Sequence, residues 1–217
     1  MELIAINLAR AVALLEVESL DPRGKKTAPE NIKILAEKYA FAKVPQTFAE
    51  LDFQKGVEFF AGHFDSIAIQ RLGMFANGIV VDTRSSTEDS AAVLADILEF
   101  AKKELGAAMK MSRHHFISQI IFRSDLEISL LVNPILKPIL ERVSQAASDG
   151  MNYPFVYAPT SILMGVDMSQ AKLAPNQFSI ERRAETPFSE NLYFSASPLQ
   201  TSEHIRALEE IERALKK

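Results

Sequence analysis

Apolar residues along the chain recur every three to four positions in some stretches and every second position in others, and this alternation of period marks out the elements. Over residues 3–19, Ile4, Leu8, Ala11, Leu15 and Ser19 share one helical face. The dense Ala and Leu content favours a buried helix, which Asp21-Pro22-Arg23-Gly24 would end. A second helix is predicted behind a Thr27 cap and Pro29, with Ile32, Leu35, Ala36 and Tyr39 at helical spacing and Pro45 closing it. From Phe53 the period becomes two, giving strands in 53–61 and 66–75 and a third after Asn77-Gly78. Asn-Gly between apolar strands predicts a hairpin with a type I′ turn, because both central residues of that turn need positive φ.

Hydroxyls followed by acids then open a helix over 86–105, with Leu94, Ile97, Leu98, Ala101 and Leu105 on one face and Gly106 as its stop. A strand is expected at 116–123. Residues 126–133 fit either a strand or a helix, and Asn133-Pro134 starts a helix to about Ala147, with Pro138 inside it. Strands are expected at 155–166, 177–184 and 190–197, and a last helix at 202–216 that buries Ile205, Leu208, Ile211 and Leu215.

Three strands and a helix thus occur twice. Setting Thr87 against Thr201 also aligns Leu94 with Leu208 and Ile97 with Ile211. The expected fold class is α+β: mainly antiparallel sheet with flanking helices, two βββα-like halves related by a weak internal repeat, and an N-terminal helical segment. The 217 residues suit one compact domain, with a sub-division at 1–110 and 111–217.

Composition narrows the chemistry. There is no Cys, which excludes a disulfide framework, a thiolate metal site and a catalytic thiol. The formal charge of −4 speaks against a surface that neutralises phosphates, and the basic residues are scattered doublets without interleaved aromatics, so no nucleic-acid partner is expected. Residues 3–17 are interrupted by Asn7, Arg10 and Glu16, too short and too polar for a membrane span or a signal peptide, so no membrane insertion and a cytoplasmic location are expected.

Four groups carry candidate chemistry. The loop 82–89 feeds a strand into a helix through Arg84, Ser85, Ser86 and Thr87, which could present amides and a guanidinium to an anion, although it has no Gly and carries Glu88 and Asp89. Arg182 lies on the strand face of Phe178 and Ile180 and needs a carboxylate, for which Asp82 and Asp167 are candidates. The histidines give no site: His114 and His115 are adjacent and point apart on a strand, and His63 with Asp65 lacks a nucleophile. Tyr153, Phe155 and Tyr157 stand among prolines, the composition of an edge strand or an exposed contact surface.

No convergent catalytic set is present at a diagnostic spacing, and no metal or cofactor is implied. The expectation is a non-catalytic interaction or assembly module that self-associates or docks on a protein partner through Tyr153, Phe155 and Tyr157. The alternative is a sensor or enzyme for a small anionic ligand, using loop 82–89 with Arg84 and Arg182.

Overall fold

The structure is a computed structural model that describes residues 1–16, 28–104, 110–131, 133–167, 169 and 175–216. Its elements in chain order are β1 (Glu2–Leu15), α1 (Ala28–Lys38), β2 (Val57–Phe64), β3 (Ile67–Phe75), β4 (Gly78–Thr83), α2 (Thr87–Glu104), β5 (Met111–Arg123), α3 (Asn133–Met151), β6 (Ser161–Met164), β7 (Phe178–Arg182), β8 (Leu192–Ser197) and α4 (Thr201–Leu215). Hydrogen bonds join the strands in the order β2-β3-β4-β1-β5-β8-β7-β6, antiparallel throughout. The fold is α+β. The repeat is fuller than the sequence suggests: β1-α1-β2-β3-β4-α2 is followed by β5-α3-β6-β7-β8-α4.

The N-terminal segment is a strand and not a helix. Ala9, Ala11 and Ala13 face Thr83, Val81 and Ile79 of β4 and are buried, while Arg10 and Val12 take the other face. Alanine's helix propensity amounts to tenths of a kcal/mol per residue, so pairing and burial of a central strand override it. Residues 17–19 and the expected stops at 21–24, Thr27 and Gly106 lie outside the described residues.

The hairpin at Asn77-Gly78 is present, but its turn is Ala76-Asn77, and none of Ala76, Asn77 and Gly78 has positive φ, so it is not type I′. Gly78 has another role. A Cβ there would stand 2.6 Å from the Ala13 carbonyl oxygen, so only glycine lets β4 lie this close to β1.

Residues 126–131 do not form a strand: Ile128–Leu131 is a single 3-10 turn, residue 132 lies outside the described residues, and Asn133 already belongs to α3. The strand expected at 155–166 contracts to Ser161–Met164, because the segment before it carries Pro154 and Pro159, which cannot donate to a ladder. The helix expected to end near Ala147 continues to Met151.

The chain divides into two compact units. The larger holds Ile6–Gln119 with Ser197–His204, and the smaller holds Met1–Ala5, Ile120–Ala196 and Ile205–Lys217. The larger unit's core joins α1 (Leu35), the following Tyr39 and Phe41, the strand residues Phe59, Leu72 and Ile79, and α2 (Leu94, Ile97). The face of β1 opposite its alanines carries charge. Asp82, nearly buried, accepts from Arg10 Nε at 2.6 Å and Nη2 at 2.8 Å, and Arg71 reaches it at 3.5 Å and Glu58 at 2.6 Å.

The smaller unit buries Ile120, Phe122, Ile128, Ile180, Tyr193 and Leu208. Phe122 stacks on Tyr193 at 5.5 Å, and the Tyr193 hydroxyl accepts the Ile128 N–H at 3.1 Å. Buried Glu212 accepts from the Ser124 hydroxyl at 2.6 Å, the Asp125 N–H at 3.2 Å and the Met1 ammonium at 2.6 Å. Burial alone would raise its pKa, but these donors outweigh that and hold the carboxyl below its usual range.

Candidate interaction surface

Loop 82–89 is built around helix capping. The Ser86 hydroxyl accepts the Asp89 N–H at 3.0 Å, and Ser85 donates to the Thr83 hydroxyl at 3.4 Å. Thr87 meets its counterpart 114 residues on: its N–H donates to Thr201 Oγ1 at 3.0 Å, and the Thr201 N–H donates to Thr87 Oγ1 at 2.6 Å. The Glu88 carboxylate accepts the Ser202 N–H at 3.1 Å and hydroxyl at 2.6 Å. Burial pushes Glu88 up, and the Ser202 donors more than offset it, leaving the carboxyl below its usual range. Two helix starts of like polarity are thereby held together by a carboxylate and exchanged hydroxyls. Arg84 is exposed and, among the described residues, makes no hydrogen bond or ion pair.

This exchange gives a measurable coupling. Thr87→Val and Thr201→Val each leave a buried N–H without its acceptor and are expected to cost about 1–2 kcal/mol. The double variant is expected to depart from additivity by more than about 0.5 kcal/mol in denaturant titrations.

Arg182 belongs to the smaller unit and Arg84 to the larger. The carboxylate that pairs with Arg182 is Glu127, at 2.6 Å, and neither Asp82 nor Asp167. Its Nη1 also donates to the Phe188 carbonyl at 3.1 Å, and the guanidinium lies over Phe188 at 4.2 Å and Tyr193 at 5.4 Å, so the side chain is consumed within its own unit. His114 and His115 are exposed on opposite sides of β5, and His63 lies on β2 with Asp65 in the turn after it. Among the described residues no three metal-ligating side chains come together.

The remaining group is in the smaller unit. In α3, Leu136, Leu140 and Ala147 are half-buried against it, whereas Ile135, Ile139 and Val143, spaced by four, are 79%, 58% and 40% exposed. An amphipathic helix needs one apolar stripe, and α3 has two. None of its described side chains is fully buried, while α2, a helix of similar length, buries six. Residues 153–157 lie along α3, where Ser148 Oγ accepts the Phe155 N–H and Ser144 Oγ the Tyr157 N–H, both at 2.9 Å. Between segment and helix is an open cleft of about 510 Å³, with Lys137, Glu141 and Gln145 on one wall and Phe155 and Tyr157 on the other. Tyr153, Val156 and Tyr157 are exposed, with the Tyr153 ring 5.1 Å from that of Phe155.

Compared with known protein families and with curated proteins, the chain matches none. Among the described residues no helix is long and apolar enough to cross a membrane.

Sequence reasoning named Tyr153, Phe155 and Tyr157 and missed the outer stripe of α3. The signal was legible, because Ile135, Ile139 and Val143 repeat at i, i+4 and i+8 beside the inner Leu136 and Leu140. A second signal was the motif Tyr-x-Phe-x-x-x-Pro, which occurs at residues 39–45 and again at 153–159, with the same offset of 114 as Thr87 and Thr201.

Proposed function

We propose that the chain is a non-catalytic interaction module whose working surface is the outer stripe of α3 together with residues 153–157. The observation that supports this most is the uneven distribution of exposed apolar groups. Of the sixteen large hydrophobic side chains exposed among the described residues, eleven fall between Leu131 and Val166. Single exposed hydrophobics are ordinary, whereas this concentration in one stretch of chain, interspersed with polar groups such as Lys137, Glu141 and Arg142, is in keeping with a contact surface. The aromatic pair Tyr153 and Tyr157 adds the residue type most enriched at such contacts. The anion-sensor reading has less support, because the Thr87 and Asp89 amides are already engaged and Arg182 is held by Glu127.

A photo-crosslinking side chain at Ile139 tests the proposal, with Glu209, exposed on α4, as the control position. Irradiated in cells of the source organism, the Ile139 probe is expected to form discrete protein adducts and the Glu209 probe none. Equal or absent labelling from the two positions would remove the reading.

A further inference from the structure

The two terminal strands of the sheet order, β2 and β6, finish differently. The outer edge of β2 is covered by residues 39–43. Phe60 and Lys43 exchange N–H···O bonds of 2.9 and 3.2 Å, the Ala42 N–H reaches the Ala61 carbonyl at 3.1 Å, and the His63 N–H reaches that of Tyr39 at 2.8 Å. The covering segment is the first Tyr-x-Phe-x-x-x-Pro motif, with Tyr39 and Phe41 sunk into the core. The second copy of the motif does not cover β6. It lies on α3 instead, held by Ser144 and Ser148.

The register shows which groups this leaves open. The Arg182 N–H donates to the Thr160 carbonyl at 2.8 Å, and the β6–β7 ladder continues with Ile162 opposite Ile180 and Met164 opposite Phe178. Alternate residues of an antiparallel strand bond to alternate sides, so the N–H and C=O of Ser161 and Leu163 point away from β7. Among the described residues no backbone hydrogen bond reaches them. Natural edges are usually blunted by a charge or a proline. This one reads Ser-Ile-Leu-Met, with Leu163 and Met164 exposed.

We infer that a second copy of this chain occupies the edge, the two β6 strands pairing antiparallel about a twofold axis at Ile162. The inference rests on the interaction-module reading and names its partner. An antiparallel edge is its own complement: Ser161 would face Leu163 of the other copy and Leu163 its Ser161, closing four backbone hydrogen bonds. A twofold axis also sets like against like, which penalises charge near it. Residues 150–166 contain no Asp, Glu, Lys, Arg or His, a run of 17 in a chain whose charged fraction is 24%. The supply of apolar area is of the right order. At roughly 60–120 Å² for each fully exposed large apolar side chain, the eleven partly exposed ones between Leu131 and Val166 carry on the order of 400–800 Å² per copy, against about 800 Å² in a standard interface.

The test uses the absence of native cysteine. Ile162 would face its own copy as a non-hydrogen-bonded pair, the close spacing that a disulfide accepts. Ile162→Cys is therefore expected to convert to a covalent dimer under mild oxidation. Met164→Cys, whose sulfur would lie several residues from its symmetry mate, is expected to remain monomeric on the same gel. In sedimentation at about 50 μM the unmodified chain is expected at twice 24.1 kDa, and Leu163→Pro, which removes an outward N–H and spares the β7 ladder, at 24.1 kDa with unchanged circular dichroism. Should Leu163→Pro fail to fold, Leu163→Lys sets like charges across the axis and serves the same purpose. A monomeric parent chain, equal crosslinking of the two cysteine variants, or a folded position-163 variant that stays dimeric would each overturn the inference. If the parent is monomeric while the Ile139 probe captures a different protein, the dimer fails and the interaction reading stands. If the probe captures nothing as well, both fail.

Discussion

Tyr39→Ala is expected to remove about 3–5 kcal/mol of folding stability, while Tyr153→Ala, the same change at the matching position of the repeat, is expected to fall within about 0.5 kcal/mol. The difference follows from where the two rings lie. Tyr39 is fully buried in the larger unit, where it meets Phe41 at 6.0 Å and Phe64 at 6.3 Å and its hydroxyl donates to Asp96 at 2.5 Å. Truncation would open a cavity and leave Asp96 to Lys38, 2.6 Å away, as its remaining partner. Tyr153 is 62% exposed, and its loss removes contact mainly with Phe155. Guanidinium titrations of both variants in the monomeric Leu163→Pro background, where no second copy covers Tyr153, measure the contrast. A loss above about 2 kcal/mol for Tyr153→Ala would mean that its ring is buried in solution.

The second large effect is a loss of stability in mild acid. His204 is completely buried, with Nδ1 3.0 Å from Ser118 Oγ, which in turn lies 3.3 Å from Thr201 Oγ1. Burial pushes its pKa down to about 4 from 6.5. A proton therefore binds the unfolded chain more tightly than the folded one. Stability is full above the unfolded value and falls as the pH drops from about 6.5 to about 4, by about 3 kcal/mol in total. Glu88 and Glu212, held below the usual carboxylate range, destabilise in the same direction but chiefly below pH 5. The interval from pH 6.5 to 5 thus belongs to the histidines: His204 carries the larger part, and the more exposed His115, lowered by partial burial and by His114, adds to it in the same direction. His204→Asn, which can offer an amide near the Nδ1 position, is expected to be less stable at pH 7.5 and to show a much shallower fall of the midpoint across that interval, the remainder coming from His115. A slope as steep as the parent's would assign the loss to another group.

What the sequence made legible was local. The hairpin, α2 and α4 were readable because caps, turn residues and apolar period agree within a dozen positions, as in Ser86 before Thr87 and Leu208 after His204. β1 was not, because Ile4, Leu8, Val12 and Leu14 on one face and the alanines on the other leave little of the alternation that marks a strand, and its alanines favour the helix until β4 is present. The strand at 155–166 contracted because the prolines withhold donors, a fact visible in the sequence but outvoted by the aromatic run. For the candidate residues, Arg182's need for a carboxylate followed from its place on an apolar strand face. That Glu127 meets the need depends on a 3-10 turn that no period announces. Thr87 and Thr201 were aligned as a repeat, but alignment gives no hint that the two residues touch.

The larger unit takes eight of its residues, Ser197–His204, from far beyond Gln119, and the smaller unit takes Met1–Ala5 from the opposite end of the chain. A nascent chain that has released Gln119 from the ribosome has yet to make Thr201, the acceptor for Thr87, and His204, the partner of Ser118. At about 5–20 residues per second, the intervening stretch keeps the first half waiting for roughly 4–16 s. During that interval the buried amide of Thr87 stays hydrated, and the strands already synthesised have exposed edges. Each unit therefore waits for residues from Ser197 onward before it can close, so folding lags behind the synthesis of its first half.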